Sequence, residues 1–443
     1  MRVNFKYMNN KYLRERSLKT VWHPCTQMKQ HESMPLIPIV RGQGVWLYDN
    51  KGRRYLDAIG SWWVNLFGHA NPRINAAIRD QLDKLEHVML AGFTHEPVVE
   101  LSERLRTLVS EKLGHCFYSS DGASAVEIAL KMSFHYWYNM GHPEKNRFVS
   151  LQNDYHGETL GALSVTDVAL FKDIYAPLLR QSAHVPTPDW RYAAEGESHG
   201  DYALRAAAAL EAYLTQHHTE TAALIVEPLV QGAAGMGMYH PDYLKLAREL
   251  CDKYKVHMIA DEIAVGFGRT GTMFAYQQAD IVPDLLCLGK GLSAGYLPLS
   301  VVMATDGVYN AFYHDKPALG FLHSHTHAGN ALACRAALAT LDIFEQDKVI
   351  EANRIKAGYL NHAAQPIALH PGVKNLRNCG MIWAFDVETP DPDFSGKFFQ
   401  AALKQELSLR PLGNTVYFMP PYVIEEQEMD LLVAGTLQAL ASW

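Results

Sequence analysis

The chain has 443 residues, 48% hydrophobic and 20% charged, enough to bury a large core in two domains, so a disordered or fibrous protein is excluded. A formal net charge of -7 leaves no electrostatic footprint for nucleic acid and points to small-molecule partners. Six scattered cysteines without a CxxC pair fit reduced thiols in the cytoplasm better than a disulfide framework.

The opening MRVNFKYMNNKYLRERSLK is basic but lacks the apolar core of a secretory signal, so a cytoplasmic location is expected. A hairpin is expected in GVWLYDNKGRRYLDA, where residues 49–52 supply the turn chemistry. INAAIRDQLDKLEHVM and VVELSERLRTLV carry apolar residues at helical spacing and predict two amphipathic helices. From His115 onward, strand-like runs (HCFYSS, RFVSLQN, ALIVEPLV, HMIADEI) alternate with helical ones, the pattern of an α/β protein with a mainly parallel sheet covered on both faces. Such sheets bind ligands at the carboxyl ends of their strands. No apolar run approaches the ~20 residues needed to cross a bilayer, so no membrane partner is expected. The expected organisation is an N-terminal arm with part of a small domain over 1–64, a large domain over 65–335, and the rest of the small domain over 336–443.

The stretch MIADEIAVGFGRTGTMFAYQQADIVPDLLCLGKGLSAG places an acid and a lysine at the ends of two strands. Lys290, between Gly289 and Gly291 after the apolar run LLCLG, is either a lysine snorkelling from a strand end or a desolvated amine suited to an aldehyde. Asp261 sits in a strand too apolar to leave a carboxylate unpaired. A protonated pyridine nitrogen at ~3 Å would supply roughly 5 kcal/mol at an effective dielectric of about 20, and a cationic ring is the electron sink of pyridoxal phosphate. Glu262 competes for that role, but strand alternation turns it to the opposite face. GFGRTG matches a dinucleotide fingerprint only superficially, because no convincing helix follows it; its Arg269 is either structural or close to substrate.

A phosphate needs backbone N–H groups at a helix start. In YSSDGASAVEIALK, Gly122 and Ala123 could offer them, although a turn capped by Ser124 with Glu127 explains the same residues. Tyr155 in NDYHGET follows a strand and could stack on a ring. HSHTHAGN invites a metal reading, yet no carboxylate or cysteine completes a ligand set, and Ser324 and Thr326 are hydroxyl donors suited to phosphate. No metal is expected.

These motifs, from WHPCTQM to RPLGNTVYFMPPY, resemble the class III, fold type I, pyridoxal-phosphate aminotransferases over nearly the whole chain. The resemblance implies that Lys290 bonds the cofactor and then moves a proton between substrate and cofactor. It implies that Asp261 pairs with the pyridine nitrogen, Tyr155 stacks on the ring, and Gly122 with Ala123 holds the phosphate. Ser324, His325 and Thr326 match the segment that reaches the phosphate of a partner subunit's cofactor, implying a homodimer with shared sites. Trp62 is expected to line a channel for an apolar chain, Arg410 to grip a distant carboxylate, and Tyr417 to stand beside them. WHPCTQM, GSWWVN and RPLGNTVYFMPPY are most similar to the members that act in biotin synthesis, implying transfer of an amino group from S-adenosylmethionine to 8-amino-7-oxononanoate. Lysine as donor, or an ω-amino acid or diamine substrate, remains an alternative. The chain departs from the pattern at Cys25, where some members have a substrate-reading tyrosine, at Ala123, where many have serine, and in SHT, where relatives have GPT.

Overall fold

The computed structural model describes residues 10–34, 36–441 and 443; the beginning of the expected N-terminal arm lies outside the described residues. The chain forms two compact units, one from Met1–Pro72, Lys356–Leu376 and Ala384–Trp443, the other from Arg73–Ile355 and Arg377–Trp383.

The first unit opens with an antiparallel meander, β1 (Ile39–Gln43), β2 (Trp46–Asp49) and β3 (Arg54–Leu56). The β2–β3 turn is closed by the buried Asp49 carboxylate, whose Oδ1 accepts the amides of Lys51 and Arg53 at 2.9 and 3.0 Å. This is the side-chain turn chemistry that the Asp-Asn-Lys-Gly stretch predicts.

The second unit is built on seven strands: β4 (His115–Ser119), β5 (Arg147–Leu151), β6 (Ala183–Val185), β7 (Thr221–Val226), β10 (His257–Asp261), β11 (Leu285–Leu288) and β12 (Ser300–Ala304). Between β7 and β10 lies a short ribbon, β8 (Val230–Gln231) against β9 (Gly237–Met238). The order is β4-β12-β11-β10-β7-β5-β6. From β11 to β6 every pairing is parallel, whereas β12 runs antiparallel to both neighbours. The reversal has a local cause. A single short turn over Lys290–Ser293, not a crossover helix, joins β11 to β12, and without a crossover the chain can only return antiparallel.

All residues of β7, β10, β11 and β12 are buried, as expected for strands covered on both faces. The helix Gly122–Asn139 buries Ala125, Ile128, Ala129 and Met132, the i, i+3, i+4, i+7 stripe, in one apolar cluster with Ile259, Cys287 and Val302. The first amphipathic helix ends at Leu82, seven residues short of the expected span, where the Gln81 side chain takes the Leu85 carbonyl at 2.8 Å and turns the chain away. Among the described residues, no helix is long and apolar enough to cross a membrane. A second three-stranded sheet is formed by β13 (Val373–Cys379), β14 (Ile382–Val387) and β15 (Thr415–Phe418), and a helix over Glu426–Leu440 follows it.

Immediately after β10, Glu262 is fully buried and accepts the amides of Ala275 and Tyr276 at 2.9 and 2.8 Å. It faces away from Asp261, as strand alternation requires, and burial lifts its pKa to about 8. Glu262→Ala would strand two buried N–H groups, at about 1–3 kcal/mol each. Denaturant unfolding should therefore register a loss of about 2–4 kcal/mol; a loss below about 0.5 kcal/mol would contradict this bracing role.

Candidate active site

Asp261 is the last residue of β10 and pairs in register with Cys287 of β11, three residues before Lys290. The two side chains thus emerge at the carboxyl ends of adjacent parallel strands, where an α/β sheet presents its ligand site. Lys290 is only half-buried and has φ +40°, in the left-handed region. Desolvation lowers its pKa to about 8; the charges of Asp261 and Glu227 oppose that shift, and Arg269 adds to it. Arg269 is itself buried, and its carbonyl accepts the Met381 amide at 2.7 Å. Around it, residues 266–274 form turns without a helix, so the dinucleotide fingerprint has no structural counterpart here.

Asp261 is held from behind. Its Oδ1 accepts the Ile263 amide at 3.1 Å, and its Oδ2 lies 2.8 Å from His156 Nδ1. On the other side of that imidazole, Nε2 is 3.4 Å from Asp154 Oδ2. Asp154 Oδ1 accepts from Gln231 Nε2 at 2.7 Å, and Gln231 Oε1 accepts from Thr187 Oγ1 at 2.5 Å. All five side chains are buried. Desolvation works against a charged imidazole, but the adjacent Asp154 and Asp261 carboxylates prevail and raise His156 to about 10. A cation is therefore sandwiched between two carboxylates, the arrangement that lets buried charges persist. Glu227, next to this group, is pushed up to about 8 by burial and then by the charge of Asp154, and it accepts the amides of Tyr155 and Gly232 at 2.7 and 3.0 Å.

The helix Gly122–Asn139 is capped by Asp121, not Ser124: Asp121 Oδ1 accepts the Ser124 amide at 2.9 Å. Glu127 closes no capping box, because its Oε1 accepts the amides of Gly161 and Ala162 at 2.7 and 3.2 Å. The amides of Gly122 and Ala123 remain at the dipole's positive end, where an anion is favoured. A Cβ at Gly122 would come within 2.9 Å of Ile263 Cγ2, so only glycine brings this backbone so close to the residue two beyond Asp261. Tyr155 is half-buried, its hydroxyl donating to Glu158 Oε1 at 2.8 Å and its ring edge-on to Phe171. The segment Ser324, His325, Thr326 is irregular, not a strand, with both hydroxyl residues exposed. Here His323 Nδ1 meets Lys131 Nζ at 2.8 Å, and among the described residues no group of three or more His, Cys, Asp or Glu is placed to hold a metal ion.

In the first unit, Cys25, Trp62 and Arg410 come together. The Arg410 guanidinium lies 5.2 Å from the Trp62 ring centroid, and its Nη2 donates to the Cys25 carbonyl at 2.9 Å. Cys25 thus contributes its backbone oxygen to Arg410. Trp62 is 46% exposed, whereas Tyr417 is buried, with its hydroxyl accepting from Trp63 Nε1 at 3.1 Å and pushed by burial to about 12. Tyr417 therefore braces the neighbouring tryptophan. Gly60, Ser61, Trp62 and Trp63 all have positive φ, a left-handed turn that costs about 1–2 kcal/mol for each non-glycine residue.

The family described as aminotransferase class III matches residues 27–440. The adenosylmethionine-8-amino-7-oxononanoate aminotransferase of Helicobacter pylori is 47% identical over 430 residues, 96% of each chain. The crystal structure of the same-named protein from Methanocaldococcus jannaschii superposes with a TM-score of 0.92 at 34% identity, covering 98% of this chain and 99% of that one. The chain belongs to the class III aminotransferases. An omega transaminase from Pseudomonas jessenii in complex with PMP is also similar, with TM-score 0.92, 29% identity, and 97% and 98% coverage.

Class III aminotransferases depend on pyridoxal phosphate, and the residues of the second unit fit that group. A carboxylate fixed by a cation suits a protonated ring nitrogen, a lysine lowered toward neutrality suits an aldehyde, and a helix start tolerating only glycine suits a phosphate. His156, Asp154, Glu227, Gln231 and Thr187 escaped sequence reasoning as site residues. Asp154 and His156 stand two apart in NDYHGET, and that polar alternation at a strand end was the available signal.

His156 should leave a pH signature. Its folded pKa of about 10 lies above the ordinary value near 6.5, so its stabilisation is complete below about pH 6.5 and is lost as pH rises through 10. The stability gap between the unaltered protein and His156→Gln, followed by denaturant unfolding, should be largest near pH 6 and shrink toward pH 10. A gap that widens with pH would contradict the sandwiched cation.

Proposed function

We propose that this chain transfers the amino group of S-adenosylmethionine to 8-amino-7-oxononanoate, giving 7,8-diaminononanoate in two half-reactions of biotin synthesis. The observation that carries the reading is the placement of Asp261 at the end of β10, in register with Cys287 of β11 three residues before Lys290, with the Lys290 amine lowered to about 8. Relatives that bear the name of this reaction support the choice of substrates.

Bound pyridoxal phosphate would supply an electron sink, and Asp261, Lys290, Tyr155, Gly122 and Ala123 would hold it. Asp261, backed by the His156 cation at 2.8 Å, would face the ring nitrogen and favour its protonated form. Lys290 Nζ, when uncharged, takes a proton from the carbon bearing the donor's amine and returns one to the acceptor's former ketone carbon. Tyr155, its hydroxyl held by Glu158, would flank the ring. Arg410 grips the terminal carboxylate of 8-amino-7-oxononanoate: one N–H serves the Cys25 carbonyl, and the guanidinium carries five donors in all. Trp62 packs against the aliphatic chain of that acid. Ser324, His325 and Thr326 serve the cofactor phosphate of a second copy, so the active form is a homodimer, and the protein works in the cytoplasm.

The test is product formation by the cofactor-loaded protein with a panel of donors, read by mass spectrometry. S-Adenosylmethionine with 8-amino-7-oxononanoate should yield 7,8-diaminononanoate; turnover only with lysine or with ω-amines would replace the donor or the whole substrate reading. Arg410→Ala should raise KM for the oxo acid roughly 10- to 100-fold, the worth of a charge-assisted pair. The donor half-reaction, followed by cofactor absorbance, should change less than twofold. Equal damage to both halves would refute the carboxylate role.

A further inference from the structure

Trp62 projects from backbone that an L-residue resists, and one carboxylate holds it there. Asp57, 1% exposed, accepts the Ser61 amide on Oδ1 at 2.8 Å and the Ser61 hydroxyl on Oδ2 at 2.6 Å. The same Oδ2 lies 2.9 Å from His69 Nε2, and His69 Nδ1 lies 3.2 Å from Asn65 Nδ2. His69 is fixed in turn by reciprocal backbone hydrogen bonds with Gly44, at 2.7 and 3.1 Å. A Cβ on Gly42 would stand 2.5 Å from His69 Cβ, so glycine there makes room for the imidazole. Backbone hydrogen bonds also hold the left-handed turn, Gly60 N to Asp57 O at 3.3 Å, Trp63 N to Ile59 O and Asn65 N to Gly60 O at 2.9 Å, and Val64 N to Gly60 O, and the Asp57 carboxylate adds the side-chain anchor at Ser61. Without a side-chain anchor, Ser61 and Trp62 would relax toward negative φ, and the indole would leave its place over the Arg410 guanidinium.

The geometry points to Asp57, seconded by His69, as a positioning residue for substrate choice: it pins Ser61 in the left-handed region and so aims Trp62 at the aliphatic chain of the oxo-acid acceptor. The inference rests on the acceptor reading above. Asp57 touches neither substrate nor cofactor in this account, so its loss should act on one half-reaction.

Three forms of the cofactor-loaded protein decide it: unaltered, Asp57→Ala, and Asp57→Ala combined with Ser61→Gly. Asp57→Ala should raise KM for 8-amino-7-oxononanoate about tenfold or more, with kcat and the donor half-reaction within threefold. Ser61→Gly in that background should recover severalfold of the KM, because glycine adopts the left-handed turn without an anchor. A purely structural role predicts no such recovery. Unchanged acceptor KM, equal losses in both halves, or no recovery by glycine overturns the inference. If Asp57→Ala does not accumulate folded, Ser61→Ala asks the same question, with about a threefold rise expected and an unchanged KM overturning the proposal. An unaltered protein that ignores 8-amino-7-oxononanoate while turning over another acceptor instead defeats the substrate reading, and this inference falls with it.

Discussion

The contact between Asp261 and His156 is the constraint on which the rest of the second unit depends. A carboxylate at the end of a fully buried strand would take up a proton if left alone. Here an imidazolium lies 2.8 Å away, and Asp154 on the far side supplies the counter-charge that the cation needs. Burial first, and then the charge of Asp154, drives Glu227 toward its neutral form. The cluster is costly as a stability device. It makes sense as pre-organised charge, set before any ring arrives.

The fold delivers these groups by elementary means. Parallel pairing aligns β10 with β11, so that Asp261 and Lys290 emerge on the same edge of the sheet. The short turn after β11 puts Lys290 at φ +40° and reverses the chain into β12. The helix that follows β4 begins at Gly122, where the absence of a Cβ lets the backbone sit against Ile263. Desolvation then does to Lys290 what a surface position would not, bringing its amine within reach of neutral pH.

Much of this was legible in the residues. Alternation of strand-like and helical runs predicts the parallel core, and an acid in an apolar strand with a lysine between glycines marks the strand ends. The orientation of Glu262 follows from a period of two. What was not legible depends on contacts distant in sequence. His156 and Asp261 are 105 positions apart, and no local pattern predicts that they meet. The cap of the helix Gly122–Asn139 is Asp121 because its side chain reaches the Ser124 amide first, a competition among adjacent polar residues that composition does not decide. The direction of β12 turns on the short turn over Lys290–Ser293 standing where a crossover helix would be. Arg410 and Cys25 meet through a backbone carbonyl, which side-chain reasoning about the cysteine could not foresee.

The proposed role of Asp261, backed by the His156 imidazolium, is to hold one end of a ring whose other end Lys290 would reach. The most direct test is the nitrogen-15 shift of isotope-labelled pyridoxal phosphate bound to the unaltered protein and to His156→Gln. The ring nitrogen should stay protonated from pH 6 to 9 in the unaltered protein, with deprotonation entering that range once His156 is removed. An unprotonated nitrogen in the unaltered protein at pH 7 would contradict it.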